Sequence, residues 1–233
     1  METVSIRYCF TLKDGSQEIF DLRLDAATLE LQGNRPENPP SWTDLDFQQC
    51  PHCPLALETH PRCPLAENLV NIVQPFDRLL SYDQVHVDVT TEERLISQDT
   101  TAEEGISSLM GLVIATSGCP HAAFFKPMAR FHLPLPNPAE TIYRAASMYL
   151  LAQYFVKQAG RDADLELKGL AEIYRNIQIV NAWTAKRLRA ATETDSSLNA
   201  IVLLDMFAKT LSHAIDASLE EIRYLFEPFL SNH

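Results

Sequence analysis

Seven of the chain's 14 prolines fall between Pro36 and Pro64, and that density constrains the fold more than any other stretch. Proline lacks the N–H that a helix interior or a central strand requires, and its ring clashes with the preceding turn. The segment from Gly33 to Pro64 is therefore expected to be a long loop. A loop of that length inside a compact domain needs something to hold it. Its larger apolar residues, Trp42, Leu45, Phe47, Leu55 and Leu57, are too few to do so alone.

The cysteines supply the missing restraint. Cys50-Pro51-His52-Cys53 is a CxxC pair, Cys63 follows after nine residues, and Cys119 lies far downstream. Each of the four is followed directly by proline: Pro51, Pro54, Pro64 and Pro120. A CxxC turn presents two sulfurs along one edge of a tetrahedron, and two further thiolates complete a four-cysteine shell. Cysteines clustered this closely in a reducing compartment bind metal more often than they form disulfides. The expected metal ligands are therefore Cys50, Cys53, Cys63 and Cys119. Cys63 is expected just before a helix, where the dipole favours its thiolate. Cys119 is expected just past a helix C-terminus, whose partial negative charge suits a nearby cation. Cys9 lies outside the spacing and reads as an ordinary thiol on a strand.

Tetrahedral sulfur takes zinc or an iron–sulfur cluster. Zn2+ is the first assignment, and a [4Fe-4S] cluster with a redox or gas-sensing role is the alternative. A zinc ribbon carries glycine after the second cysteine of its knuckle, where this chain has Pro54, whereas Ser117-Gly118-Cys119-Pro120 has the look of a cluster ligand. A redox CxxC needs a strand before it and a helix start at it, a context that Pro54 and the later prolines spoil. His52, His60 and His121 stand beside the cysteines and could replace a thiolate or support one. HExxH, GxSxG, GxGxxG and the P-loop motif are all missing from the sequence, so the commonest hydrolase, dinucleotide and nucleotide readings lack support. Four thiolates close a metal site to substrate, so a non-catalytic protein is expected rather than an enzyme.

The rest of the chain reads as an α+β fold. Val4, Ile6, Tyr8, Phe10 and Leu12 alternate with polar residues, Asp14-Gly15 marks a turn, and Phe20, Leu22 and Leu24 return. A short third strand through Leu29 and Leu31 would complete an antiparallel β-meander with one wet face. A helix is expected from Leu65 to Val73, a strand over residues 85–89, and a helix capped at Thr100 or Thr101 and stopped at Gly118. The stretch from Pro127 to Pro134 reads as a strand carrying His132, which would be either functional or a buried structural histidine.

Beyond it the pattern is a helical bundle. Asn137-Pro138-x-Glu140 starts one helix and Gly160 ends it. A second carries Leu167 to Leu188, and a third begins at Asp195 or Ser196. A capping box at Ser218 and Glu221 opens a short last helix that Pro228 stops. Asn176, Asn181, Arg187, Arg189 and Asp205 read as a solvated helix face, with Asp205 and Lys209 spaced to pair. Met148, Tyr149, Tyr154, Phe155 and Trp183 read as core. Two lobes are expected: residues 1–136, α+β with the cysteine site, and residues 137–233, the bundle.

Charge narrows the partners. Lys and Arg number 19 against 31 Asp and Glu, a net −12, which repels phosphate backbones and anionic lipid. Nucleic acid and membrane are therefore not expected partners. The apolar faces of successive helices suggest a homodimer or a protein partner. No apolar run approaches the roughly 20 residues of a membrane span, and Met1 to Ser5 lack the basic region of a secretory signal. A cytoplasmic protein is expected.

The motifs Cys50-Pro51-His52-Cys53-Pro54-Leu55, Cys63-Pro64-Leu65-Ala66, Thr116-Ser117-Gly118-Cys119-Pro120 and Pro127-Met128-Ala129-Arg130-Phe131-His132-Leu133-Pro134 together resemble an uncharacterised family of bacterial proteins. The resemblance covers most of the chain. It implies a bacterial cytosolic metalloprotein and carries no activity with it.

Overall fold

The computed structural model describes residues 2–191, 195–217 and 219–231. Apolar alternation makes β1 (Thr3–Thr11) and β2 (Gln17–Asp25), which pair antiparallel from Thr3 opposite Asp25 to Thr11 opposite Gln17. The turn between them closes where Gly15 takes φ +82°, with Asp14 accepting from the Ser16 N–H. β3 is only Leu31–Gln32, while Leu29 sits in the preceding turn at φ +56°. β4 (Gln84–Thr90) and β5 (Leu95–Thr101) complete a five-stranded antiparallel sheet in the order β3-β2-β1-β4-β5.

β5 is the strand the alternation does not announce. Within Leu-Ile-Ser-Gln-Asp-Thr-Thr only Thr100 is buried, because an edge strand over solvent needs no apolar face. Across the sheet's inner face Ile6, Tyr8, Phe10, Phe20, Leu22, Leu24, Val85, Val87 and Val89 are buried. The rings of Phe10, Phe20 and Phe76 meet there with centroids 4.8–5.9 Å apart.

Helices α1 (Pro64–Val73) and α2 (Ala102–Thr116) belong to the same core. Thr101 caps α2 in a capping box with Glu104, as the sequence implies. Gly105 lets α2 come close to the sheet: a Cβ there would stand 2.8 Å from the Phe10 ring and 3.1 Å from Val87. The stretch through His132 is not a strand. Lys126–Arg130 forms a short helix, α3, with Pro127 in its first turn, and a loop carries His132.

The helical part comprises α4 (Pro138–Gln158), α5 (Lys168–Arg189), α6 (Ser196–Asp216) and α7 (Glu227–Leu230), the last preceded by a 3-10 turn over Glu220–Phe226. Asn137 and Glu140 form the expected capping box of α4. Pro228 lies in the first turn of α7 and so opens that helix rather than stopping it. The capping role expected of Ser218 lies outside the described residues.

α6 packs against both α5 and α2, and the apolar core runs without a break from β1 through α6. By length and composition α6 over Ser196–Ile215 is one helix long and apolar enough to cross a membrane, although the sequence contains no uninterrupted apolar run of that length. Tyr154 and Phe155, expected in the core, are 53% and 62% exposed on the outer half of α4. Asp205 and Lys209 do pair on α6, 2.6 Å apart.

Candidate metal centre

Two helix ends position two of the thiols. Cys63 is the N-cap of α1, held by its own N–H donating to the Thr43 carbonyl at 2.8 Å. Cys119 follows the C-terminus of α2, after Ser117 and a Gly118 at φ +87° that turns the chain back. These two ends are stitched together. Asn68 Nδ2 donates to the Pro64 carbonyl at 2.8 Å and to the Ser117 carbonyl at 3.3 Å.

The proline-rich loop brings the other pair. Cys53 N–H donates to the Cys50 carbonyl at 3.0 Å, closing the CxxC turn. Arg187 of α5, only 3% exposed, reaches back into the loop. Its guanidinium donates to the carbonyls of Trp42, Asp44 and Leu45 at 2.7, 2.7 and 3.0 Å and lies over the Phe47 ring. The sequence places Arg187 on a solvated face. It is instead the buried clamp of a segment with little secondary structure of its own.

All four expected ligands are free, half-buried thiols. Cys50 lies in the electrostatic field of Cys63, Cys119 and Cys53, and Cys53 acts on both Cys63 and Cys119. Thiols from three separate segments thus lie within electrostatic reach of one another. Burial pushes the Cys50 thiol up to about 12, its three neighbouring cysteines add to the rise, and Arg187 opposes it. Burial raises Cys63 as well, against Arg187 and the N–H groups of Ala66 and Leu65. Cys119 is pushed up to about 11 by burial, against the N–H groups of His121 and Ala122. Two of the sulfurs therefore each sit over a pair of backbone donors, an arrangement that favours the anionic form. Among the described residues, no group of three or more His, Cys, Asp or Glu side chains is placed to hold a metal ion.

His52 and His121 flank the thiols as a stacked pair, with ring centroids 3.9 Å apart and planes inclined by 13°. His121 Nε2 lies 2.9 Å from the His52 carbonyl, and His52 Nε2 lies 3.2 Å from the Asn176 carbonyl. His52 Nδ1 is buried with no hydrogen-bond partner among the described residues. Burial, and then His121, lower the His52 pKa, so the stack is held as neutral imidazole at that ring. His60 is exposed and pairs with Thr59, away from this arrangement. Cys9 lies on the outer face of β1, opposite Ile19 and Asp88, also away from it.

His132, the remaining histidine of interest, accompanies Tyr8 and Ser108 rather than the thiols. A different histidine escaped the sequence reading. His86 on β4 contacts Asp99 at 2.7 Å and Ser97 at 2.9 Å, the atoms of a serine–histidine–aspartate relay. Ser97, however, donates to Asp88 at 2.6 Å, and the Asp99 side chain is 88% exposed. This is a charge network on a wet sheet face, where a hydroxyl proton directed at Asp88 leaves the imidazole no serine to activate.

No curated protein and no solved structure matches this chain. A family model does, over residues 6–227, so that sheet, cysteine loop and helices all fall inside one matched domain. The chain belongs to the family described as a domain of unknown function, DUF6901.

Proposed function

We propose that Cys50, Cys53, Cys63 and Cys119 together bind one metal ion, zinc in the first instance, and that the protein is a non-catalytic metalloprotein. What supports this reading is that four thiols, from the loop, the start of α1 and the end of α2, lie within electrostatic reach of one another. Four thiolates at roughly 2.3 Å are what a structural zinc ion takes. Arg187 offsets part of the net double negative charge that a zinc tetrathiolate carries, and the backbone donors over Cys63 and Cys119 offset more. The site would pin the proline-rich loop against both helices. The reduced thiols it requires belong to the cytoplasm of a bacterial cell. A regulatory or partner-binding role, in a homodimer or with another protein, accords with the exposed Leu151, Phe155 and Phe229 of the helical part.

One observation favours a cluster as the second reading. Cys50, Cys63 and Cys119 pack against the apolar core, and shielding of that kind together with N–H donors to sulfur is what a [4Fe-4S] cluster uses. Metal analysis and an absorption spectrum of protein purified without oxygen decide between them. One zinc per chain and no visible colour is the expected result. A broad band at roughly 400 nm would replace zinc by iron–sulfur. Protein that holds neither metal, and takes up no zinc when titrated with it, overturns both.

A further inference from the structure

A second feature owes nothing to the cysteines. A cavity of about 570 Å3 lies between α2, α5 and α6, bounded by α3, the loop that follows it and the start of α4. That volume falls in the range of small-molecule sites. Its walls are mainly apolar, with Leu112, Ile177 and Phe207 among them. Three features of the lining are unexplained by folding alone.

The first is Asn181 on α5. It is 2% exposed, lines the cavity, and its Nδ2 has no hydrogen-bond partner among the described residues. A buried donor left unmade is costly, and leucine at the same place would avoid the cost. The second is Arg144 on α4. Its guanidinium makes no ion pair among the described residues, and donates only to the carbonyls of Met128, Phe131 and Leu133 at 3.1–3.4 Å. Glu104 lines the same cavity and Glu140 acts on the guanidinium electrostatically, but neither carboxylate pairs with it, and a half-buried cation left unpaired invites an anion. The third is Gly111 in the middle of α2. Glycine weakens a helix interior, yet a Cβ here would meet only Leu204 at an ordinary 3.5 Å. What its missing side chain gains is cavity space.

The two polar groups give a ligand its two ends. Arg144 lies in the electrostatic field of Tyr174, which also lines the cavity. Asn181 is seven residues, or about 10.5 Å, along α5 from Tyr174 and on the same face. We propose that this cavity binds a medium-chain carboxylate whose apolar body carries a distal oxygen, with the carboxylate on Arg144 and the oxygen accepting from Asn181 Nδ2.

ω-Hydroxydecanoate has both groups, decanoate lacks the distal oxygen, and decane-diol lacks the carboxylate. Calorimetric titration of the full chain is expected to show one ω-hydroxydecanoate bound per protein, with decanoate about tenfold weaker, the scale of one hydrogen bond to a buried amide. Arg144→Met should weaken both acids and leave the diol unchanged. Asn181→Leu should bind the two acids equally, and because it removes an unpaired buried donor it should melt no lower than the natural chain, which separates lost recognition from lost folding. Gly111→Leu fills the cavity and should abolish binding of all three. The proposal is overturned if ω-hydroxydecanoate fails to bind at about 1 mM, if Gly111→Leu binds it as well as the natural chain does, or if Asn181→Leu keeps the preference for it over decanoate.

Discussion

The hydroxyl of Tyr8 lies 2.5 Å from Nε2 of His132 and 2.8 Å from the hydroxyl of Ser108, so one tyrosine on the central strand ties α2 to the loop after α3. Ser108 Oγ also accepts from the Leu135 N–H at 3.0 Å, which fixes that loop at a second point. Burial, and then the charge of Arg144, push the His132 pKa down to about 3, so the imidazole stays neutral throughout the physiological range.

Acid should therefore expose His132. Its folded pKa lies below the ordinary value of about 6.5, so below that pH the unfolded chain binds a proton that the folded chain does not. Stability falls as pH drops through 6.5 and continues to fall towards 3, by up to about 1.4 kcal/mol per pH unit from this residue. Between pH 6.5 and 5, urea denaturation should show the natural chain losing about 2 kcal/mol more than His132→Gln. Parallel losses in the two proteins would show that the histidine is not held neutral.

His86 should titrate in the opposite sense. The hydrogen bond to Asp99 raises its pKa, with further support from the charge of Asp88. Its contribution to stability is complete below the unfolded value and is lost as pH rises through the folded one. Proton NMR should place the His86 midpoint above that of an ordinary histidine. Asp99→Asn should move it down; an unchanged midpoint would mean that the aspartate contact does not persist in solution.

Gly169, at the start of α5, is required by the hydroxyl of Tyr149. A Cβ at residue 169 would stand 2.2 Å from Tyr149 Oη, which donates to Asp164 at 2.9 Å while Gly169 N–H donates to the same carboxylate oxygen at 2.8 Å. Gly169→Ala should destabilise by about 1–3 kcal/mol, the scale of overpacking. The same change in a Tyr149→Phe background should cost less, since the clashing oxygen is gone. A double-mutant cycle read by urea denaturation gives the coupling, and strict additivity would refute it.

Metal and fold should fail together. If the four thiolates share one ion, about 10 kcal/mol or more of binding energy is folding energy. Cys53→Ser and Cys119→Ser should each lose bound metal and lower the melting temperature, while Cys9→Ser should do neither. Full metal occupancy with unchanged melting in the first two variants would defeat the proposed site.

Much of this architecture is legible in the sequence because one face of a sheet and one stripe of a helix meet a single core. The alternation from Val4 to Leu24 yields β1, β2 and the wet face, the cap at Asn137 marks its helix start to the residue, and that of α2 is legible to within Thr100 or Thr101. β5 is not legible: with both Ser97 and Asp99 facing water it has no apolar period to read. The cysteines advertise themselves by spacing, but the His52–His121 stack joins residues 69 apart and has no local signal. Arg187 and Asn181 mislead for a common reason. On a helix that also carries Lys186 and Arg189, polarity implies solvent, whereas burial there depends on the loop and the cavity that only the tertiary fold supplies. Tyr154 and Phe155 mislead in reverse, since no described element covers the outer half of α4.

The clamp of Arg187 has a consequence for the order in which this protein can be made. The carbonyls that it holds belong to residues 42–45, and the guanidinium is encoded 142 residues after the last of them. At elongation rates of about 5–20 residues per second, that gap lasts roughly 7 to 30 s on the ribosome. For all but the start of it Cys50, Cys53 and Cys63 are already synthesised, while the side chain that anchors their loop does not yet exist. The thiols of a nascent chain in that interval answer to whatever oxidant or metal is at hand, so the last third of the polypeptide governs the fate of chemistry written in its first.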